Sequence, residues 1–243
     1  MYTTLPLLVS VACLTYGVSV LSFHGRDRLS ILLFAVYGTS ALWLLGWSLL
    51  FQSSVQGGMW TDLLSKVSYL PALLIPALWY HLTVVMVRVP TESKWVGISY
   101  GVCAGFIGMQ LTTQGVTAEH YLYFFGAYPK AGVIHPLFVV SSLIVWGRCM
   151  LLAFRGQQML RGEARVRQRL LLGALALQGG VMLDVLPCYG VGLFPPGGVF
   201  LACSVCLLAQ IRRNSIDPLA VAATVAHEMR TPWPTGCAFR ARR

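Results

Sequence analysis

The chain has 243 residues, of which 56% are hydrophobic and 11% charged, and it carries a formal net charge of +10. A soluble domain carries about twice that share of charged residues, so the composition excludes an ordinary soluble domain and points to a bilayer. The positive charge suits nucleic acid if the bases line a groove, or membrane topology if they gather in alternate loops.

Seven apolar runs approach the roughly 20 helical residues that cross a hydrocarbon core of about 30 Å. They lie at about 5–23, 29–51, 67–87, 95–112, 135–154, 170–190 and 193–211. They predict an all-α membrane protein, with a seven-transmembrane helical bundle over 1–212. The first run opens with "MYTTLPLLVSVACL". It has no positive n-region and no small-residue cleavage site, so it reads as a span and not as a signal peptide. The third run holds Pro71 and Pro76, which membrane helices tolerate where neighbours satisfy the freed carbonyls. "FPPGG" cuts into the start of the seventh.

The loops between these runs alternate in charge. The first holds Arg26 and Arg28, the third Arg88 and Lys94, the fifth Arg155, Arg161, Arg165, Arg167 and Arg169, and Arg212 and Arg213 follow the last run. Of the even loops, the second holds Lys66, the fourth Lys130 and the sixth no basic residue. This is the positive-inside pattern with the N-terminus outside and the C-terminus in the cytoplasm. It accounts for the net charge through the lipid bilayer, with no nucleic-acid partner.

The fourth loop, "TTQGVTAEHYLYFFGAYPKAGVIH", is rich in Tyr and Phe. Two readings are open: an aromatic belt at the outer interface, or a lid over a ligand site. Most of the cysteines (Cys13, Cys103, Cys149, Cys203 and Cys206) lie inside apolar runs. The C-x-x-C pair Cys203 and Cys206 has no second pair or nearby histidine, so packing is expected there and no metal site.

Two ionisable residues stand at membrane depth, His81 in "ALWYHLTVV" and Asp184 in "VMLDVLPC". Such residues usually face the bundle interior and mark a function. With Tyr80 they form the candidate ligand-sensing set, for an unknown small-molecule ligand entering between helices; Trp79 and Trp146 are further pocket candidates. The lysines are Lys66, Lys94 and Lys130, all in loops, so a retinal Schiff base within the membrane is excluded. No internal repeat supports an inverted-repeat transporter.

Beyond the last run, Asp217-Pro218 reads as a helix start, with Asp as cap and Pro at the first helical position. Leu219, Ala222, Ala226 and Met229 recur at helical spacing. The helix so predicted carries His227, Glu228, Arg230, Thr231 and Pro232 near its end. A carboxylate beside an imidazole fixes its tautomer, leaves Nε2 as a free lone pair and accepts a proton. That is the requirement for a histidine nucleophile. Pro232 cannot donate to the carbonyl of Glu228, so the helix bends beside the histidine. A zincin motif fails, because Thr231 stands where the second histidine belongs.

"AHEMRTP", from Ala226 to Pro232, resembles the H-box of the phosphoacceptor and dimerisation domain of bacterial sensor histidine kinases. The membrane part is similar to the seven-transmembrane sensor module at the N-terminus of one histidine-kinase family. The similarity rests on "YFFGAYPKAGVIHPLFVV", "RVRQRLLLGALALQGG" and "DVLPCYGVGLFPPGG", in the family's order. The resemblance implies a homodimeric two-component sensor in the bacterial cytoplasmic membrane. His227 would be the phosphoacceptor, Glu228 the base and tautomer partner, and Arg230, Thr231 and Pro232 the H-box context. A response regulator would receive the phosphate.

The chain departs from the family after Pro232. Trp233 and "PTGCAFRARR" follow, with no amphipathic helix, nucleotide lid, Asn box or Asp-x-Gly box. Residues 213–232 are therefore expected to form a cytoplasmic signalling helix with the H-box, and 233–243 an aberrant or truncated tail from a fragment or a shifted frame. No cofactor is expected in this chain, and ATP with Mg belongs to the kinase domain it lacks. A stand-alone membrane receptor or scaffold is the alternative, and a small-molecule transporter a weaker one.

Overall fold

A computed structural model describes residues 2–53, 59–160 and 162–213. Among them are seven α-helices: α1 (Thr4–His24), α2 (Arg28–Ser53), α3 (Met59–Val87), α4 (Ser93–Thr112), α5 (His135–Met159), α6 (Gly162–Val181) and α7 (Gly197–Arg213). Short 3-10 turns at Pro90–Glu92 and Met182–Tyr189 join α3 to α4 and α6 to the last loop. Five helical segments are long and apolar enough to cross a membrane: Thr4–Ser22, Arg28–Gln52, Trp60–Val87, His135–Gln158 and Ala164–Tyr189. Gly197–Ile211 is apolar but shorter. By length and composition, this is the helical set of a multi-pass membrane protein.

The packing order is a ring. Helix α1 packs on α2, α2 on α3, α3 on α5, α5 on α6, α6 on α7, and α7 returns to α1. Helix α4 lies outside, chiefly against α3. Two buried indoles of α2, Trp43 and Trp47, and the fully enclosed Leu44, Leu73, Leu171 and Leu175 fill the interior. Leu8, Leu42, Ile98 and Ile144 point outward, as a lipid-facing surface requires. At Gly46 a Cβ would overlap Ser68 of α3, so the glycine lets the α2 and α3 backbones approach closely.

The fold is not all-α. Within the fourth loop, β1 (Thr117–Tyr123) and β2 (Gly126–Ala131) form an antiparallel hairpin that pairs Tyr121 with Tyr128 and Tyr123 with Gly126. Its Tyr and Thr residues suit a pleated, half-buried surface. Gly126 takes a φ of +131° at the turn, where a side chain would be strained. Leu122 and Phe124 face outward, while Phe125, Ala127 and Tyr128 are buried. Phe125 packs on Phe51 of α2 and on Phe194, Tyr128 on Trp47, and Phe124 on Tyr2 beside α1. The hairpin thus caps one end of the ring.

Hydrogen bonds hold this cap in place. Gln110, near the end of α4, accepts from the Thr117 N–H at 3.1 Å. His120 Nδ1 meets Asp62 of α3 at 2.7 Å. Tyr123 and Tyr128 donate to the carbonyls of Pro187 and Asp184, each at 2.7 Å.

Several helix limits differ from those expected, among them the start of α6 at Gly162 in place of 170 and the end of α5 at Met159 in place of 154. Helix α3 begins eight residues earlier than the hydropathy suggests (59 against 67), because Asp62 is paired with the hairpin. The α-form of the sixth segment ends at Val181 and tightens into a 3-10 helix containing Pro187. Helix α7 starts at Gly197 and not at 193, since Pro195 and Pro196 precede it. The predicted domain 213–232 and tail 233–243 lie, apart from Arg213, outside the described residues.

Candidate functional site

Within the ring lies a small, partly open chamber of about 60 Å³. Trp43 and Trp47 of α2, Tyr69 of α3, Ser142 of α5, Gln178 of α6, Asp184 of the second 3-10 turn and Tyr128 of the hairpin are among its walls. Among the described residues, five buried polar atoms of these walls have no hydrogen-bond partner: Trp43 Nε1, Trp47 Nε1, Ser142 Oγ, Gln178 Oε1 and Asp184 Oδ2. Leaving such an atom dry costs on the order of 1–3 kcal/mol, and more for a charged group. Two indole donors, one hydroxyl and two acceptors belong to residues that line a space of about two water volumes, at roughly 30 Å³ each. The chamber is therefore chemically a site for a small hydrogen-bonding guest.

Asp184 reaches the chamber because the 3-10 turn winds more tightly than α6. Its carboxylate Oδ1 accepts a hydrogen bond from the Gly197 backbone N–H at 2.7 Å. It therefore caps the first turn of α7, where a carboxylate is favoured by the helix dipole. The chamber wall and the start of the last helix are thus one hydrogen bond apart.

A relay of three rings leads from the chamber to the surface. His135 opens α5 and is fully buried. Its Nε2 lies 2.7 Å from the Tyr69 hydroxyl and its Nδ1 2.9 Å from the Tyr189 hydroxyl. Tyr69 lines the chamber, whereas Tyr189 is 46% exposed. A neutral imidazole donates at one nitrogen and accepts at the other, so one tyrosine accepts from it and the other donates to it. Burial in the hairpin pushes the neighbouring Tyr128 phenol well above its ordinary pKa, which keeps that hydroxyl a donor.

Tyr80 belongs to a different cluster. Its hydroxyl donates to Glu92 in the first 3-10 turn, and Arg148 of α5 pairs with the same carboxylate through Nη2 and Nε. Glu92 is buried. The hydrogen bond from Arg148 and, in smaller part, that from Tyr80 hold its carboxyl below the usual glutamate pKa against the opposing effect of desolvation. Tyr80 and Arg148 edge an apolar groove of about 540 Å³ between α3, α4 and α5, with Trp95, Ile98 and Ile144 on its walls.

His81 lies in a third place. Arg28 Nη2 donates to its Nε2 at 3.3 Å, and its Nδ1 lies 3.2 Å from the Tyr100 hydroxyl. The three membrane candidates His81, Asp184 and Tyr80 therefore do not form one site. Of the other two candidates, Trp146 donates to the Leu175 carbonyl at 2.8 Å, and Trp79 is buried beside it near a minor void. His227, Glu228, Arg230, Thr231 and Pro232 lie outside the described residues. Among the described residues, no group of three or more His, Cys, Asp or Glu is placed to hold a metal ion.

The sequence did not single out Trp43, Trp47, Tyr69, Ser142, Gln178, His135 or Tyr189, nor Glu92 and Arg148. An arginine within an apolar run is a visible signal in the sequence. His135 stands at a span boundary just before Pro136, which hid it as a loop residue. The fourth loop forms the hairpin, whose Tyr128 lines the chamber while Leu122 and Phe124 stay exposed.

No protein-family model, no curated protein and no solved structure matches this chain.

Proposed function

We propose that this chain is the membrane receptor of a histidine-kinase phosphorelay, with His227 as phosphoacceptor. The observation that carries this reading is the run Ala226–Pro232, "AHEMRTP", set one short predicted helix beyond the last apolar helix. The chamber supports it by giving the bundle an interior able to bind a small polar stimulus. The Asp184–Gly197 bond supplies a physical route to α7, the helix nearest in sequence to the H-box. In this reading the odd loops face the cytoplasm of a bacterial cell and the hairpin faces outward.

The signal passes as a change in the α7 cap. A guest that competes for Asp184 weakens the bond to Gly197, and one that supplies the missing donor to Oδ2 strengthens it. At the other end, His227 Nε2 forms a bond to the γ-phosphorus of ATP held by a kinase domain. ADP leaves with the bonding electron pair, and the Nδ1 proton passes to Glu228. The working unit is a homodimer, and a response-regulator aspartate receives the phosphoryl group.

The test supplies a histidine-kinase catalytic domain with ATP and Mg to the reconstituted chain. Acid-labile, base-stable phosphate on His227, absent in His227→Gln, supports the reading. No label on the native chain with a panel of such domains rejects it in favour of a receptor without phosphotransfer.

A further inference from the structure

At the end of the bundle opposite the hairpin, Arg28 at the start of α2 and Arg88 just after α3 line an open pocket of about 590 Å³. His81, Ser93 and Tyr100 complete its polar wall, and valines with Pro90 and Gly97 form the rest. Among the described residues, no carboxylate lines it. Two acids next in sequence to its lining residues have other partners: Asp27 accepts from the Ser30 N–H at the head of α2, and Glu92 is held by Arg148 and Tyr80. Among the described residues neither Arg28 nor Arg88 forms an ion pair with a carboxylate.

The hydrogen bonds determine what the pocket offers. Because Arg28 can only donate, His81 Nε2 is the acceptor and its proton sits on Nδ1, directed at the Tyr100 oxygen. His81 is thus a tether that orients Arg28, and the Tyr100 hydroxyl proton remains available. Four N–H groups of Arg28, the guanidinium of Arg88 and the hydroxyls of Tyr100 and Ser93 form a donor set with no charged acceptor. Arg88 has a φ of +59°, a left-handed conformation that favours glycine. A long cationic side chain kept at such a position directs attention to the guanidinium itself.

We propose that this pocket binds a phosphate anion, the headgroup phosphate of an acidic phospholipid. Two arginines match phosphate through paired donors. The pocket lies at the start of α2 and the end of α3, at the ends of two helices long and apolar enough to cross a membrane, and basic clefts between membrane helices are suited to anionic headgroups. The valine wall accommodates the upper part of an acyl chain. The same donors recognise free phosphate from solution, and the experiment separates the two sources.

The full chain is reconstituted in nanodiscs of mixed phosphatidylglycerol and phosphatidylcholine, and the lipid retained on release is read by native mass spectrometry. The native chain is expected to retain phosphatidylglycerol preferentially. Arg28→Gln with Arg88→Gln reduces that retention about tenfold, while Arg155→Gln with Arg169→Gln, an equal loss of charge on exposed sites elsewhere, leaves it unchanged. Arg88→Gly removes the guanidinium while suiting the backbone, so a loss of retention in this variant does not arise from misfolding. If phosphatidylglycerol is not preferred but inorganic phosphate raises the unfolding temperature of the native chain and not of Arg88→Gly, the phosphate site stands and its source is soluble. Equal lipid retention in native, pocket and control proteins, with no response to phosphate, overturns the proposal.

Discussion

Asp184 and Gly197 are joined by a 2.7 Å hydrogen bond from the glycine N–H to the carboxylate, across a position where any side chain would collide. A Cβ at Gly197 would overlap the Asp184 carboxyl. The contact is both a helix cap and a steric fit, and it connects the chamber wall to the last helix.

Gly197→Ala is therefore expected to destabilise the bundle by roughly 1–3 kcal/mol through overpacking. Asp184→Asn keeps a carbonyl oxygen for the Gly197 N–H and removes the unpaired carboxylate oxygen, so it is expected to be close to neutral. Asp184→Ala removes the cap and costs about 1 kcal/mol or more. Thermal unfolding in detergent orders the three variants; Gly197→Ala as stable as the native chain would show that α7 is not held here.

The Tyr80–Glu92–Arg148 cluster predicts acid sensitivity. Glu92 has a lowered pKa in the folded chain, so its contribution is present above the unfolded carboxyl pKa and is lost as the pH falls through the lowered value. Arg148→Met leaves the buried Glu92 without its cation. The expected loss is about 2 kcal/mol, less than for a fully enclosed pair because Arg148 is 40% exposed. Arg148→Met with Glu92→Gln should recover part of it. Denaturant titrations at several pH values check both points, and a flat acid limb in the native chain would remove the pair from the account.

The relay through His135 predicts an asymmetric pair of mutants. His135→Phe leaves the buried Tyr69 hydroxyl without this partner and costs roughly 1–3 kcal/mol. Tyr189→Phe removes a contact at the exposed end and is expected to cost less. Reversal of this order, in the same unfolding assay, would mean that the relay is not anchored from the chamber side.

The chamber predicts separation of stability from output. Gln178→Leu and Ser142→Ala replace unpartnered polar atoms by apolar ones, so their effect on stability is expected to be near zero or slightly favourable. Within the proposed phosphorelay, the same changes should alter stimulus-dependent labelling of His227. Measuring unfolding and labelling on one preparation decides the matter: unchanged labelling with retained stability makes the chamber a packing feature.

Much of the architecture was legible in the chain. Apolar runs located seven helices to within a few residues at most of their ends, and Asp184 stood out as a charge at membrane depth. The hairpin did not, because Tyr and Phe near an interface satisfy a belt and a strand pair equally well by composition. What divides them is the partner of each ring: Phe125 on Phe51 and Tyr128 on Trp47 are contacts between segments far apart in sequence. Glu92 was similarly hidden, since a glutamate after a proline in a loop reads as solvated until Arg148, 56 positions away, is brought against it.

By itself the sequence determined what depends on local composition and order: membrane-grade helices, the alternation of basic loops, and the run His227–Pro232. Hydropathy and charge act residue by residue, so they need no fold to be read. Only the tertiary structure decided that Trp43, Trp47, Ser142, Gln178 and Asp184 share one chamber, and that Tyr80, His81 and Asp184 occupy three separate sites. The reason is geometric. A helix presents only part of its surface to the interior, and which part depends on the ring order of its neighbours, a long-range property that no window of sequence contains.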